Sequence, residues 1–181
     1  MKTLVYVLGE TLGWFACVLG AAGNRHWLGV LVVGGLLTLH LGTHGERAVR
    51  RIVALSLVAI LLGFCLDSLL IVGGVYEPVR WIVPPPFSTV WLLALWVNFS
   101  LVVDVPLRRL QNHLAVAAAL GGLFGPIAYL AGQRLGALRL AEPAVYSLAA
   151  LAVAWAVGMA LLMLAARHLP SFGSSRTVSG R

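Results

Sequence analysis

RIVALSLVAILLGFCLDSLLIV, residues 51–72, is a nearly continuous apolar run whose only charged residues are Arg51 and Asp67. A helix that crosses a lipid bilayer needs about 20 such residues, and it pairs its own backbone polar groups within the lipid. This run therefore predicts a transmembrane helix, and similar runs lie on both sides of it. We predict six spans, at residues 3–22, 27–43, 51–72, 87–104, 113–131 and 143–168.

The composition of the whole chain agrees with a protein that lies in lipid. Of its 181 residues, 60% are hydrophobic and 10% are charged, whereas soluble domains have about 25% charged residues. Six spans leave about 60 residues for connections, which excludes a separate catalytic or nucleic-acid-binding domain. We predict an all-α, polytopic membrane protein: a six-helix bundle over residues 1–169, followed by a disordered cytoplasmic tail over residues 170–181.

The positions of the basic residues predict the orientation of the bundle. Nine of the thirteen Lys and Arg residues lie on the side that carries Lys2, and four lie on the other side. Because cytoplasmic loops are enriched in these residues, we expect both termini in the cytoplasm. The basic surface then faces membrane lipids with anionic headgroups, and no basic face of a soluble fold is present to bind nucleic acid.

An internal repeat is suggested by arginine pairs before two of the spans. When Arg50 and Arg51 are aligned with Arg108 and Arg109, Gly63 coincides with Gly121 without a gap. Helices three and four would then repeat as helices five and six, although arginine pairs at such positions also follow from the orientation rule alone. Residues 132–142 (GQRLGALRLAE) alternate basic and apolar positions, which predicts a short segment along the outer surface.

Two acidic residues lie away from the ends of predicted spans, where charged groups usually face a protein interior or a watery cavity. Counting 1.5 Å per residue, Glu10 lies about 10 Å and Asp67 about 24 Å from the cytoplasmic interface. The two carboxylates therefore occupy different levels and do not form an acid–base pair. Glu10 shares a helical stripe with Trp14 and Cys17, which indicates that this face of the first helix points inward.

Three tryptophans fall near the middle of the bilayer, unlike Trp27, Trp81 and Trp91, which are placed as interfacial anchors. These three are Trp14, Trp96 and Trp155, and Asn98 lies at a similar level. A buried indole needs an acceptor, which Glu10 or Asn98 can supply. Two interpretations stay open: an aromatic pocket for an acyl chain, an isoprenoid or a flat small molecule, or dense packing. The candidate ligand-binding residues are Glu10, Trp14, Asp67, Trp96, Asn98, Tyr129 and Trp155.

The histidines and cysteines do not form a convincing metal or redox motif. His40 and His44 share one helical face, as metal ligands do, but a single pair is far from the several clusters of membrane di-iron enzymes. We therefore predict interfacial histidines, no metal and no cofactor. Cys17 and Cys65 are expected to be free thiols, because lipid-embedded cysteines usually act as small packing residues.

Four segments together resemble a family of uncharacterised bacterial inner-membrane proteins with six spans, classed as a domain of unknown function. They are GWFACVLGAAG at residues 13–23, LLGFCLDSLL at 61–70, PFSTVWLLALWVNFSL at 86–101 and GGLFGPIAYLAGQRLGAL at 121–138. Genes of that family often neighbour those of fatty-acid-modifying methyltransferases and flavin oxidases. The resemblance implies a role near membrane-lipid modification or envelope stress, and it supplies no catalytic residues.

Three functions are compatible with the sequence. The first is a non-catalytic partner that binds a lipid or acyl chain for a lipid-modifying enzyme system, and the second is a small-solute carrier or the substrate-binding subunit of a transporter. The third, a membrane enzyme that uses Glu10, Asp67 or the histidines, lacks an assembled nucleophile, base and orienting group. We rank the lipid-binding partner first.

Overall fold

The computed structural model describes residues 2–81 and 84–169, so the predicted tail at residues 170–181 lies outside the described residues. The described residues form six α-helices, two short β-strands and one 3-10 helix. In chain order these are α1 (Lys2–Ala22), α2 (Trp27–Gly42), α3 (Glu46–Val72), β1 (Tyr76–Pro78), α4 (Val90–Ser100), the 3-10 helix (Arg108–Asn112), α5 (Leu114–Arg134), β2 (Leu138–Leu140) and α6 (Ala144–His168).

The predicted helical fold is confirmed, and four helices are long and apolar enough to cross a membrane. These four are α1, α3, α5 and α6. The helices α2 and α4 are apolar but have only 16 and 11 residues, fewer than the roughly 20 of a regular span. The sequence predicted a fourth span at residues 87–104; α4 is shorter because three prolines precede it and residues 101–107 form turns before and around Pro106.

The short helix α4 lies at the centre of the bundle. It packs against α1, α2 and α3, while α5 packs along α6, and α6 in turn packs against α3. Buried side chains occur on every face of α4, which explains why this helix is apolar throughout: Trp91, Leu92, Ala94, Trp96, Asn98 and Ser100. The helices α1 and α5 do not pack along each other, so a gap separates them.

The segment at residues 132–142, predicted to lie along the outer surface, contains the end of α5 and strand β2. Strand β2 pairs antiparallel with β1, with Glu77 opposite Arg139. Leu138 and Leu140 are buried while Arg139 is exposed, so the alternation of the sequence reflects the two faces of a strand. This pairing defines the strand end of the bundle. The opposite end, which carries Arg51, Arg108 and Arg167, is called the arginine end below.

Features of α3–β1 recur in α5–β2 at a spacing of 62 residues. Each helix ends in a turn with a glycine at positive φ, Gly74 at 65° and Gly136 at 83°. Gly63 and Gly125 are also 62 residues apart, and each faces a tryptophan ring. The structural equivalent of Gly63 is thus Gly125, four residues beyond the predicted Gly121. The alignment by arginine pairs shifted the register because one pair lies inside α3 and the other precedes α5.

Candidate functional site

A buried carboxylate lies near the strand end of the bundle. The Asp67 side chain is 1% exposed. Its Oδ1 accepts hydrogen bonds from the Tyr76 hydroxyl at 2.9 Å and from the Tyr129 hydroxyl at 2.5 Å. Its Oδ2 accepts a hydrogen bond from Trp96 Nε1 at 2.9 Å. We call these four side chains the Asp67 network.

The network joins four separate elements, α3, β1, α4 and α5. Pairing of β1 with β2 places Tyr76 over the end of α3. Burial, and to a lesser extent the neighbouring Asp67 carboxylate, raise the pKa of Tyr76 well above its usual value. The phenol therefore keeps its proton and remains a hydrogen-bond donor to the carboxylate.

The acceptor for the Trp96 indole differs from the predicted one. The sequence suggested Glu10 or Asn98, because Asp67 was placed near the outer boundary and Trp96 near the midplane. The helix α4 begins only at Val90, so Trp96 lies about 9 Å along it from the strand end, and Asp67 lies about 8 Å from the end of α3. The two side chains are therefore at the same level.

Two indoles stack beside the network. The rings of Trp96 and Trp155 are parallel within 7°, with centroids 4.7 Å apart. Gly63 and Gly125 make room for them, because a Cβ at Gly63 would lie 2.1 Å from the Trp96 ring and one at Gly125 would lie 2.3 Å from the Trp155 ring. The glycines thus act as close-packing residues for the aromatic pair.

A cavity of about 570 Å³ lies beside the stacked indoles, between α1 and α5. Its volume is in the range of small-molecule sites, about 300–1,000 Å³. It extends from Leu107 and Leu110, next to the arginine end, to Leu138 at the strand end. Aromatic side chains form much of its wall, among them Trp14, Trp91, Trp96, Phe99, Phe124, Tyr129 and Trp155.

Glu10 places a carboxylate on the wall of this otherwise apolar cavity. Within the described residues, no hydrogen bond or ion pair of this carboxylate is found. The Glu10 backbone carbonyl accepts a hydrogen bond of 2.7 Å from Asn98 Nδ2. Asn98 also fills the space above Gly13, where a Cβ would lie 2.2 Å from its amide oxygen. Asn98 thus fixes α1 against α4, while the Glu10 side chain lies on the cavity wall.

The structure brings most of the predicted ligand-binding residues around one cavity. The lining includes Glu10, Trp14, Trp96, Tyr129 and Trp155. Asp67 and Asn98 are not part of the lining: Asp67 holds the side chains of Trp96 and Tyr129, and Asn98 holds the backbone of Glu10. Sequence reasoning missed Tyr76 and misplaced Trp91, which is not an interfacial anchor but a cavity residue that is 1% exposed. The continuous apolar character of α4 was the signal that its tryptophans are internal.

A second polar cluster, an ion pair at the arginine end, was also missed. Arg51 donates from Nε to Asp104 Oδ2 at 2.7 Å and from Nη2 to Asp104 Oδ1 at 2.6 Å. Its guanidinium also donates to the carbonyls of Ala166 and Leu169 at the end of α6, and Gln111 Nε2 donates to Asp104 Oδ1 at 3.0 Å. From the sequence, Arg51 was interpreted only as one of the basic residues that set the orientation in the membrane. In the structure, its side chain joins α3, α6 and the connection between α4 and α5.

The histidine pair lies at the end of α2, where the His40 ring also contacts the ring of Tyr6 on α1. The rings of His40 and His44 stack with centroids 4.8 Å apart, and His44 Nδ1 lies 2.7 Å from the His40 carbonyl. Within residues 2–81 and 84–169, no group of three or more His, Cys, Asp or Glu side chains is arranged to hold a metal ion. Cys17 and Cys65 are free, the former buried and the latter exposed.

Comparison with known proteins gives one match. A family model described as "Protein of unknown function (DUF2878)" matches residues 3–161, which include α2 to α5 completely, all of α1 except Lys2, and most of α6. No curated protein and no solved structure matches the chain. The chemistry of the site is therefore the basis for assigning a function.

Proposed function

Because the chain belongs to the DUF2878 family, whose function is unknown, we propose a function from the site itself: the protein binds the acyl chain of a lipid inside the membrane. The observation that carries this proposal is the elongated, aromatic-walled cavity between α1 and α5. An apolar cavity with a few polar groups is the usual form of a small-molecule site. The stacked indoles offer flat apolar walls along which a hydrocarbon chain can lie.

The gap between α1 and α5 offers a route into the cavity from the lipid. Phe124 and Ile127 of α5 line the cavity and are 57% and 49% exposed. Exposed apolar side chains on a membrane helix contact lipid chains, so the cavity wall is continuous with the lipid-facing surface. An acyl chain can thus pass sideways between α1 and α5 without crossing water.

We extend the proposal to a role as accessory partner of a membrane-lipid-modifying or envelope-stress system. The support for this extension is the resemblance described above, whose family context implies lipid modification. In this role the protein holds a lipid and a separate enzyme modifies it. The Asp67 network fits such a binding role, since all of its polar atoms hold the cavity wall in place.

Native mass spectrometry of the gently extracted protein tests lipid binding. We expect a retained lipid-like mass on the unchanged protein and its loss in Ala128→Phe, because residue 128 lines the cavity and a phenyl group fills it. Ala149→Phe is the matched control, since residue 149 is an exposed position on α6 outside the lining. A protein without a bound mass in several mild detergents, or equal retention by the two variants, would contradict the proposal.

A small-solute carrier is the second candidate, favoured by the Glu10 carboxylate on the cavity wall. A carboxylate inside a membrane protein is typical of substrate and ion pathways. In this case, vesicles that contain the protein would accumulate a cationic or neutral solute, and Glu10→Gln would abolish uptake. A lipid-binding protein would show no uptake in the same vesicles while still retaining its lipid.

We propose that all six helices cross the inner membrane, with the start of α1 and the end of α6 on the cytoplasmic side. The antiparallel pairing of β1 and β2 supports this, because it brings the ends of α3 and α5 to the same end of the bundle. Because α3 and α5 run in the same direction, the chain must cross the membrane in the opposite direction between them, and α4 provides this crossing. Because α4 is enclosed by protein, its short length and the turns after it are compatible with the membrane interior.

A further inference from the structure

We propose that a small polar cavity at the arginine end binds the phosphate group of an anionic ligand, with Arg108 and Arg167 as the contacting residues. This inference deepens the proposed function and rests on it, because the ligand it implies is a lipid with a phosphate headgroup. The cavity has a volume of about 70 Å³, more than the roughly 30 Å³ that one water molecule occupies in the liquid. Its lining is Arg51, Asp104, Arg108, Gln111, Ala166, Arg167 and Leu169.

The charges around this cavity do not cancel. Arg51 and Asp104 neutralise each other through two hydrogen bonds. Arg108 and Arg167 then leave two positive charges, and within the described residues no ion pair of either is found. The chain has six acidic residues. The remaining five lie elsewhere: two in α1 and α3 at the large cavity and its network, one with Arg50, and two near the strands.

Arg51 and Gln111 give the cavity a fixed wall. Arg51 is 5% exposed, and its guanidinium is held by the Asp104 carboxylate and two carbonyls. Gln111 is fixed by hydrogen bonds to Asp104 and to the Val103 carbonyl. The two exposed arginines therefore face a rigid polar surface, and planar guanidinium groups suit the oxygen atoms of a phosphate.

The 3-10 helix connects this cavity to the acyl-chain cavity. Residues three apart lie on the same face of a 3-10 helix. Leu107, just before the helix, and Leu110, at its centre, line the large apolar cavity, whereas Arg108 and Gln111 line the polar one. One short segment thus contributes to both sites, which fits a lipid whose chain lies in the apolar cavity and whose headgroup lies at the arginine end.

A simpler explanation for the position of Arg167 is its electrostatic attraction to the C-terminal end of its own helix. Basic residues in the last turn of a helix are stabilised by the helix dipole, and Arg167 is in the last turn of α6. This explanation does not extend to Arg108, which is the first residue of the 3-10 helix. The two residues converge on one cavity from separate elements, and this convergence favours a bound anion.

Lipid titration monitored by native mass spectrometry tests the site on the full chain in neutral detergent. The probes are phosphatidylglycerol and diacylglycerol with the same acyl chains, which differ by the phosphate headgroup. We expect tighter binding of phosphatidylglycerol. The double variant Arg108→Gln/Arg167→Gln should lower its affinity about 25-fold, since each basic residue near an anionic headgroup contributes about fivefold. Diacylglycerol binding should not change.

The double variant Arg47→Gln/Arg50→Gln is the matched control, because it removes the same charge from exposed positions on α3 at the same end. It should retain the preference for phosphatidylglycerol. Equal losses in the two double variants, or an unchanged preference in Arg108→Gln/Arg167→Gln, would overturn the site. The thermal stability of each variant is measured in parallel, because a purely structural role of Arg167 would lower stability without changing the ratio of the two affinities.

Failure of this site and failure of the proposed function give different results. If the acyl-chain cavity is wrong, Ala128→Phe leaves the binding of both lipids unchanged. If only the anion site is wrong, Ala128→Phe lowers the binding of both, but the arginine variant does not alter their ratio. Inorganic phosphate then identifies the source of the anion. If phosphate competes with phosphatidylglycerol, the site binds free phosphate. If phosphate does not compete but binding still depends on the two arginines, the site binds the lipid headgroup.

Discussion

Asp67 is held inside the bundle by three neutral donors that come from three other elements. A polar group in an apolar interior is stable only when its hydrogen bonds are made, and each one left unmade is costly. The three bonds have a second effect, because they fix the rings of Trp96 and Tyr129, which form part of the cavity wall. Asp67 therefore positions the wall without itself lining the cavity.

We expect Asp67→Asn to lower the stability of the protein. The amide replaces one acceptor oxygen by an NH2 group, which then faces a donor, and an unsatisfied buried donor costs about 1–3 kcal/mol. The midpoint of thermal unfolding in detergent, followed by tryptophan fluorescence, measures the loss. Glu77→Gln is the matched control: its ion pair with Arg139 is exposed and 3.7 Å long, so the midpoint should hardly change. Equal midpoints for Asp67→Asn and the unchanged protein would contradict the role of the network.

Several residues of the site could be recognised from the sequence because they are rare inside membrane spans. Glu10, Asp67 and the tryptophans were recognised for this reason. Their partners could not be predicted, because counting residues from an approximate helix start gives depth with an error of several ångströms. For Trp96, that error led to Glu10 or Asn98 as the expected acceptor, whereas the acceptor in the structure is Asp67. Tyr76 lies outside the helices, so helical periodicity carried no information about it.

At the scale of elements, two glycines determine how closely the helices approach the stacked indoles. Gly63 on α3 faces Trp96, and Gly125 on α5 faces Trp155. The two glycines are 62 residues apart, the spacing at which features of α3–β1 recur in α5–β2, so the same glycine–indole contact is made twice in the bundle. A glycine in a helix lowers its intrinsic stability by about 1 kcal/mol relative to alanine. Its presence at both positions reflects the space that each indole requires.

We expect Gly63→Ala and Gly125→Ala to destabilise the protein, because the added methyl groups overlap the indole rings. Overpacking of this kind costs about 1–3 kcal/mol, which exceeds or offsets the gain in helix propensity. Gly34→Ala is the control, since a Cβ at Gly34 on α2 meets nothing within 4 Å. Thermal unfolding should show a lower midpoint for the first two variants and an equal or higher one for the control. A rise at all three positions would show that packing against the indoles is loose.

The helices were more predictable than the connections between them. Long apolar runs indicate helices because no other regular structure pairs its backbone within one segment in lipid. The three-residue strands carry a weaker signal, since the alternation around β2 also fits a segment along the membrane surface and the partner strand β1 is far away in the chain. The turns at residues 101–107 were likewise missed, because Leu101, Val102 and Val103 continue the apolar run of α4.

At the scale of the whole molecule, the strand pairing restricts how the chain can cross the membrane. If only α1, α3, α5 and α6 crossed, the ends of α3 and α5 would lie on opposite sides of the membrane. The pairing of Glu77 with Arg139 requires these two ends to be on the same side. Crossing by α2 and α4 removes the conflict, and it also brings the start of α3 to the end of α6, where Arg51 donates to Leu169.

Labelling of single cysteines in intact cells tests this topology. In a background with Cys17→Ala and Cys65→Ala, we expect a membrane-impermeant maleimide to label Glu77→Cys and Glu142→Cys in intact cells. Glu46→Cys should be labelled only after the membrane is permeabilised, because the start of α3 lies on the cytoplasmic side in a six-span protein. Four spans would reverse two of these results, since residue 46 would be outside and residue 77 inside. Residue 142 is outside in both topologies and is the internal control, so the labels on residues 46 and 77 decide between six crossings and four.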